Sequence, residues 1–509
     1  MLYFIPAWYR NMQWCENEQS WQERRMHSEF DDTVKHVQLF NRNETRPYRI
    51  LLLSYAPNFR HFLHRQSVYH APYWSCFDAI QQIRRKQAVP LSFHQLAWPE
   101  GIEFVHTPFV IAAMLQGQKY AQIEFGEDGN MIRIEMYQGE QIIRRNIYDD
   151  RGFVSSTILY REGKPFFQDY LMETGEWKIR EFFTDGHVEV NPQYPEYLIS
   201  FPGRNLTKVF SRRYYDSLED VIEEVFSAYV GHTSQADIFC FAMHRLHYAL
   251  LEKVLRKKKM ILSFFQHRCD PGENPQTFDL IKKADYIITD SREKTEEILA
   301  LDDRFLVKIT DISPYDTRAD FGISQQLHVQ KILLPADGLE DVFFEELVEI
   351  LGQYMHKNEV ARVEIFTRNA AYNRPKQLMD QVYGLLDEEK EWITEHFSVE
   401  QCVDELEVSK CMREQRLIVE MRKPPELYLQ VTAVSMGIPQ IVFMETQFVV
   451  DKANGIVLSE ANQLPEALDY YLEGLANWNK AMVASYDLGK NYTTEVLLEK
   501  WREVLGFVE

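Results

Sequence analysis

Between residues 118 and 191 glycine recurs at 129, 139, 152, 163, 175 and 186, with gaps of 10, 13, 11, 12 and 11 residues. Asp128-Gly129, Gln138-Gly139, Glu162-Gly163, Thr174-Gly175 and Asp185-Gly186 suit tight hairpin turns, because glycine reaches positive φ at little cost. The segments between them, such as Tyr120–Phe125 and Met131–Met136, are rich in β-formers. Short strands at this spacing predict an antiparallel meander. A solenoid or propeller is disfavoured, since the segments share no motif beyond their turns.

Both flanks have a different texture. Tyr48–Leu53 reads as a buried strand. Ser217 opens a helix whose apolar stripe is Leu218, Val221, Ile222, Val225, Phe226 and Tyr229. Strands at 238–241, 261–265 and 286–289, with a helix at 245–258, then imply parallel βαβ units. A second series begins at the strand Lys331–Leu334 and continues through a helix at 341–354 and strands at 363–366 and 417–419. The expected architecture is α/β, with two Rossmann-like lobes and an antiparallel domain inserted in the first. The expected domains are 1–100 with 200–325, the insert 101–199, a second lobe 326–490 and a crossover helix in 491–509.

Composition narrows the function. At 509 residues the chain exceeds one ordinary core, and 45% hydrophobic with 13% aromatic residues implies a folded protein. A net charge of −21 argues against general nucleic-acid binding. No apolar run approaches the roughly 18 residues a spanning helix needs, and Met1–Pro6 lacks the basic and apolar regions of a signal peptide. The six cysteines form no C-x-x-C pair, which fits a reducing compartment and disfavours a zinc site. The expected location is cytoplasmic.

The stretch Leu427–Leu458 carries the most functional information. An amphipathic helix is expected to end at Met436-Gly437, with Gly437 suited to a C-cap. Pro439 then opens a buried strand at 441–443, and Asn454-Gly455-Ile456-Val457-Leu458 follows. This pattern resembles the C-terminal half of GT-B glycosyltransferases, which often carry here two glutamates eight positions apart for the donor sugar and ribose. Aligned on Gly437-Ile438-Pro439, those positions are Pro424 and Thr432.

GT-B lobes with a β insert in the first resemble the proteins that glycosylate serine-rich-repeat adhesins. Phe4-Ile5-Pro6-Ala7-Trp8-Tyr9, with Trp14 and Trp21, narrows the resemblance to the family of accessory secretory protein one, of the accessory Sec system. That resemblance implies a GT-B-like protein without known transferase activity and without a cofactor. Its implied partners are the second and third accessory secretory proteins, the accessory SecA motor and a glycosylated serine-rich-repeat substrate. Anionic membrane lipids are a further implied partner, which would place the protein peripherally on the membrane. The alternatives are an active UDP-sugar-dependent transferase of the same pathway, or a lectin-like binder of the glycosylated adhesin.

The residues fit a degenerate donor site. After the strand Lys331–Leu334, the loop Pro335–Asp341 has one glycine, and Asp337, Glu340 and Asp341 would repel a diphosphate. Thr367-Arg368-Asn369 has no glycine, and Glu445-Thr446-Gln447 stands where many relatives have a Gly-Gly pair. A shifted pocket could use Glu426 with Arg422-Lys423, Thr446 and Gln447 could hydrogen-bond a sugar or peptide, and an active transferase would need a donor site around Arg368, Glu426 and Thr446; ordinary polar loops account for the same residues. His61, His64 and His70 have spacing open to a metal, but no acid or cysteine clusters with them, and no metal site is expected. Lys253, Arg256, Lys257, Lys258 and Lys259 form a basic cluster at an expected helix end. They suit either an anionic-lipid contact or a helix C-terminus. Arg84-Arg85-Lys86 is a weaker lipid candidate, and the insert's edge is open to strand addition by a partner.

Overall fold

All six meander glycines lie at positive φ, from 62° at Gly139 to 96° at Gly175, in a computed structural model that describes residues 1–10, 12–15, 31–43, 46–253, 258–272 and 274–508. The turns they make join strands from Gln118–Phe125 to Val188–Val190 into a ten-stranded sheet running from Ile102–His106 to Tyr214–Tyr215. Every pairing in it is antiparallel. A separate hairpin, Glu196–Phe201 with Arg204–Val209, follows the meander.

The chain divides into two compact units: Met1–Arg24, His36–Ile288 and Val508–Glu509 form one, and Arg25–Lys35 with Thr289–Phe507 the other. In the first, Leu2–Ile5 is an interior strand of a parallel sheet, between Tyr48–Leu52 and Ile238–Ala242. Each of its four residues is buried. Sequence reasoning assigned no strand there, because four apolar residues show no periodicity. Ser217 caps the helix Leu218–Val230 by accepting from the Asp220 amide at 3.3 Å, and the expected stripe is buried. Within the expected helix at 245–258, Arg245–His247 is a 3-10 turn and Tyr248–Lys253 is helical; residues 254–257, like Trp21, lie outside the described residues.

In the second unit six parallel strands take the order Phe397–Gln401, Ala361–Thr367, Gln330–Pro335, Gln415–Glu420, Gln440–Val442 and Gly455–Val457. Numbered along the chain this is 3-2-1-4-5-6, the doubly wound order. Sequence reasoning missed Phe397–Gln401, an edge strand with one fully buried residue, Phe397. The helix before Gly437, Leu427–Met436, is also not amphipathic. Residues 428–434 and Met436 are all buried, because it is enclosed on every side. Its C-cap is Gly437 at φ 70°, where a Cβ would fall 2.6 Å from Met482 Cγ. No helix among the described residues is long and apolar enough to cross a membrane.

Buried charge ties the insert to its own unit. Asp149, Asp150 and Arg151, at the turn after Gln141–Asp149, are each under 5% exposed. Arg151 donates to both oxygens of Asp149 at 2.7 Å and to those of Asp78 at 2.8 and 2.9 Å. Arg60 bonds Asp150 through Nε, approaches Asp149 at 3.3 Å and donates to the Pro57 carbonyl at 2.9 Å. Burial opposes ionisation of Asp149, but Arg60 and Arg151 outweigh it and hold its carboxyl below the usual range. Gly152 completes the turn at φ 81°, where a Cβ would sit 2.6 Å from the Val89 carbonyl.

Asp149→Ala leaves Arg60 with Asp150 and Arg151 with Asp78, but takes the acceptor from the buried Arg151 Nε and Nη2. It is expected to cost about 1–3 kcal/mol, read as a lower urea midpoint. Exposed Asp185→Ala should leave the urea midpoint unchanged.

A second buried polar group sets an acid sensitivity. His247 is fully buried, donates from Nδ1 to the Ala242 carbonyl at 2.8 Å and accepts at Nε2 from Tyr9 Oη at 2.7 Å. Burial, helped by His244, pushes its pKa down to about 3. The unfolded chain therefore binds a proton below about pH 6.5 that the fold refuses. The contribution of His247 to stability is complete above that pH and is lost as pH falls towards 3. His247→Gln is expected to flatten urea midpoints measured between pH 6.5 and 4, relative to wild type.

Candidate functional site

In doubly wound sheets ligands bind beyond the carboxyl ends of the strands, where the order reverses. In the second unit that switch point lies between Gln330–Pro335 and Gln415–Glu420. The loops leaving these strands carry Asp337 and Arg422, and the neighbouring strand Ala361–Thr367 delivers Arg368. Glu426 closes the group at the N-cap of Leu427–Met436.

These side chains bind one another. Asp337 accepts from the Thr367 hydroxyl at 2.8 and 2.9 Å, the Arg368 amide at 2.6 Å and the Asn369 amide at 3.3 Å, with Arg374 at 3.6 Å. A strand-to-loop turn of this kind offers amides to a phosphate in a nucleotide site; here a carboxylate of the chain takes them. Arg422 pairs with Glu420 through Nη2 and reaches Glu426 at 3.3 Å and the Asp337 carbonyl at 3.4 Å. Arg368 pairs with the other oxygen of Glu426. Burial would lower the Arg422 pKa, but Glu420, Glu426 and Asp337 outweigh it and raise it. Three guanidiniums thus face three carboxylates, and the local charge is zero.

The other expected site residues are placed apart from this group. Pro424 is exposed in the loop before the helix. Thr432 is buried within the helix and donates to the Tyr428 carbonyl at 2.7 Å. Thr446 donates to Gln430 Oε1 at 2.7 Å. Gln447 donates to the Asp290 carbonyl at 3.2 Å and accepts from the Arg292 amide at 3.2 Å. Of the shifted pocket's residues the structure brings together Arg368, Glu426 and Arg422, and uses Thr446 and Gln447 to hold loops. Asn454 and Gly455 also have a structural explanation. Asn454 bonds the Val450 amide and the Phe448 carbonyl, both at 2.8 Å, and a Cβ at 455 would meet the Gln440 carbonyl at 2.6 Å.

Sequence reasoning missed Glu420. It is buried at the end of an apolar strand, and that placement is the one signal that could have marked it.

Of the basic cluster, Lys253 lies in the last turn of Tyr248–Lys253. Lys253 pairs with Glu223 at 2.7 Å, and Lys258 Nζ donates to the Thr233 and Ser234 carbonyls at 3.0 and 3.1 Å. Lys259 begins the strand Lys259–Phe264, while Arg256 and Lys257 lie outside the described residues. Among the histidines, His61 lies 3.6 Å from Asp128 and 3.9 Å from Glu127, and His64 and His70 are exposed. No group of three or more metal-ligating side chains is found among the described residues.

The chain matches the family of accessory Sec system protein one over residues 1–395 and 384–507. A curated protein of that family from Streptococcus gordonii is 31% identical over 533 residues, with 99% of each chain covered. A crystal structure of accessory secretory proteins 1, 2 and 3 in Streptococcus pneumoniae contains a chain with TM-score 0.83 and 29% identity, covering 100% of this chain and 99% of that one. The pneumococcal O-GlcNAc transferase GtfA, solved with UDP and GlcNAc, has TM-score 0.70 over 100% of this chain and 98% of that one. At 11% identity that likeness is one of fold alone, and the fold is GT-B.

Glu426→Ala strands Arg368, whose side chain is 10% exposed, while Arg422 keeps Glu420 as its partner. The expected loss is about 3 kcal/mol of stability by denaturant unfolding.

Proposed function

Since the chain belongs to the family of accessory Sec system protein one and its role lies in the accessory Sec pathway, we infer that this role is non-catalytic. The protein is a pseudo-glycosyltransferase that helps deliver a glycosylated serine-rich-repeat adhesin to the accessory SecA motor and the membrane channel. The observation that carries this reading is the neutral cluster of Asp337, Glu420 and Glu426 with Arg368, Arg374 and Arg422. A sugar-nucleotide diphosphate would have to break buried ion pairs and displace Asp337 from the amides of Arg368 and Asn369. Each such break leaves buried charge uncompensated.

Partnership with the second and third accessory secretory proteins is supported by similarity to chains solved in such complexes. One is the pneumococcal complex, and another is the Gap123 complex from Streptococcus agalactiae, with TM-score 0.81 and 30% identity. The complex works on the cytoplasmic side. Contact with anionic lipid through 253–259 belongs to the same reading, although Lys253 and Lys258 already have partners within the chain.

Two measurements test the proposal. Calorimetric titration of the folded chain with UDP and UDP-GlcNAc is expected to give no binding heat. Cells lacking the chain should accumulate adhesin that still carries its sugar. Heat of binding together with adhesin that has lost sugar would establish the transferase alternative instead.

A further inference from the structure

The ten-stranded sheet has two faces with different work. One packs on its own unit: Tyr55 donates to Ser156 at 3.0 Å and stacks edge-on against Tyr170 at 5.1 Å. On the opposite face the register sets Arg144 beside Leu159, Asn146 beside Thr157, Thr157 beside Asp169 and Asp169 beside Arg180. Directly paired residues project to one side of a sheet. These therefore make a polar ladder across four strands. At its end the register shifts between Tyr170 and Leu171, so that Leu171 faces Trp177. Such an irregularity re-aims a side chain, and beside it lies a pocket of about 340 Å³.

We propose that this pocket binds a neutral saccharide. Its walls combine the rings of Trp177 and Tyr194 with polar groups from Arg144, Asp169, Glu176 and Gln193. An aromatic plane suits the apolar C–H face of a sugar ring, and the surrounding donors and acceptors suit its hydroxyls. Charge selects against the alternatives. Arg144 and Arg180 balance Asp169 and Glu176, so an anion gains no net attraction, and so polar a lining wastes its hydrogen-bonding groups on an apolar ligand.

The site is rigid before any ligand arrives. Arg180 donates to both oxygens of Asp169 at 2.6 and 2.9 Å and lies 4.9 Å from the Trp177 ring centroid. Asn191 donates to the Trp177 carbonyl at 2.7 Å and accepts from the Gln193 amide at 2.9 Å, while its carbonyl takes the Tyr194 amide at 3.1 Å. The loop carrying Gln193 and Tyr194 is thereby fixed to the strand carrying Trp177. Among the described residues the Tyr194 hydroxyl and the Gln193 side-chain amide make no hydrogen bond, and both remain available to a ligand. Preorganisation of this kind lowers the cost of binding.

The pocket lies wholly in the first unit, so its sugar binding is separable from nucleotide binding at the second-unit switch point. The experiment is saturation-transfer difference NMR on the full chain with glucose, galactose and N-acetylglucosamine, each also in the presence of excess UDP. Transfer to at least one sugar is expected, unaffected by UDP. Trp177→Ala should abolish it, and Gln193→Ala, at an exposed position that leaves the fold intact, should weaken it about tenfold. Three results would overturn the proposal: no transfer to any of the three sugars, transfer unchanged by both substitutions, or displacement of the sugar by UDP.

Discussion

A guanidinium removed from water needs compensation, and in the first unit carboxylates supply it. Arg60 and Arg151 meet Asp149, Asp150 and Asp78 where the meander turns at Gly152, and this contact anchors the antiparallel sheet to its own unit. The pairing is costly to desolvate and still more costly to break. It therefore selects one register and one placement for the turn, which an apolar contact alone would leave loose. Gly152 fits because no Cβ has room against the Val89 carbonyl.

The same chemistry recurs at the second-unit switch point. There the paired charges lie where the doubly wound fold usually receives a ligand. Asp337 accepts from the Arg368 and Asn369 amides, and Glu420 and Glu426 pair with Arg422 and Arg368. The GT-B fold is kept while these charges satisfy one another.

Much of the fold was legible because its signals are local. The meander glycines mark turns, Ser217 marks a helix start, and Gly437 marks a helix end at φ 70°. Leu2–Ile5 and Phe397–Gln401 were missed for contrasting reasons: one is buried throughout and lacks period, and the other is an edge strand with few buried positions. Leu427–Met436 was misread as amphipathic because its polar residues Gln430 and Thr432 are buried, where Gln430 Oε1 and the Thr432 hydroxyl bond within the protein. Pro424 and Thr432 could be read from the chain, but the charge network of the switch point could not. Residues 337, 368, 420 and 426 are separated by gaps that no linear pattern connects.

By itself the sequence determined the α/β class and the antiparallel meander, because turn residues and hydrophobic period are properties of short segments. Only the tertiary structure decided that Arg368 and Arg422 neutralise Glu420 and Glu426, that the helix before Gly437 is enclosed, and that Trp177 and Tyr194 share a pocket. Charge compensation acts over a few ångströms. Which groups come that close is set by how strands far apart in the chain align side by side.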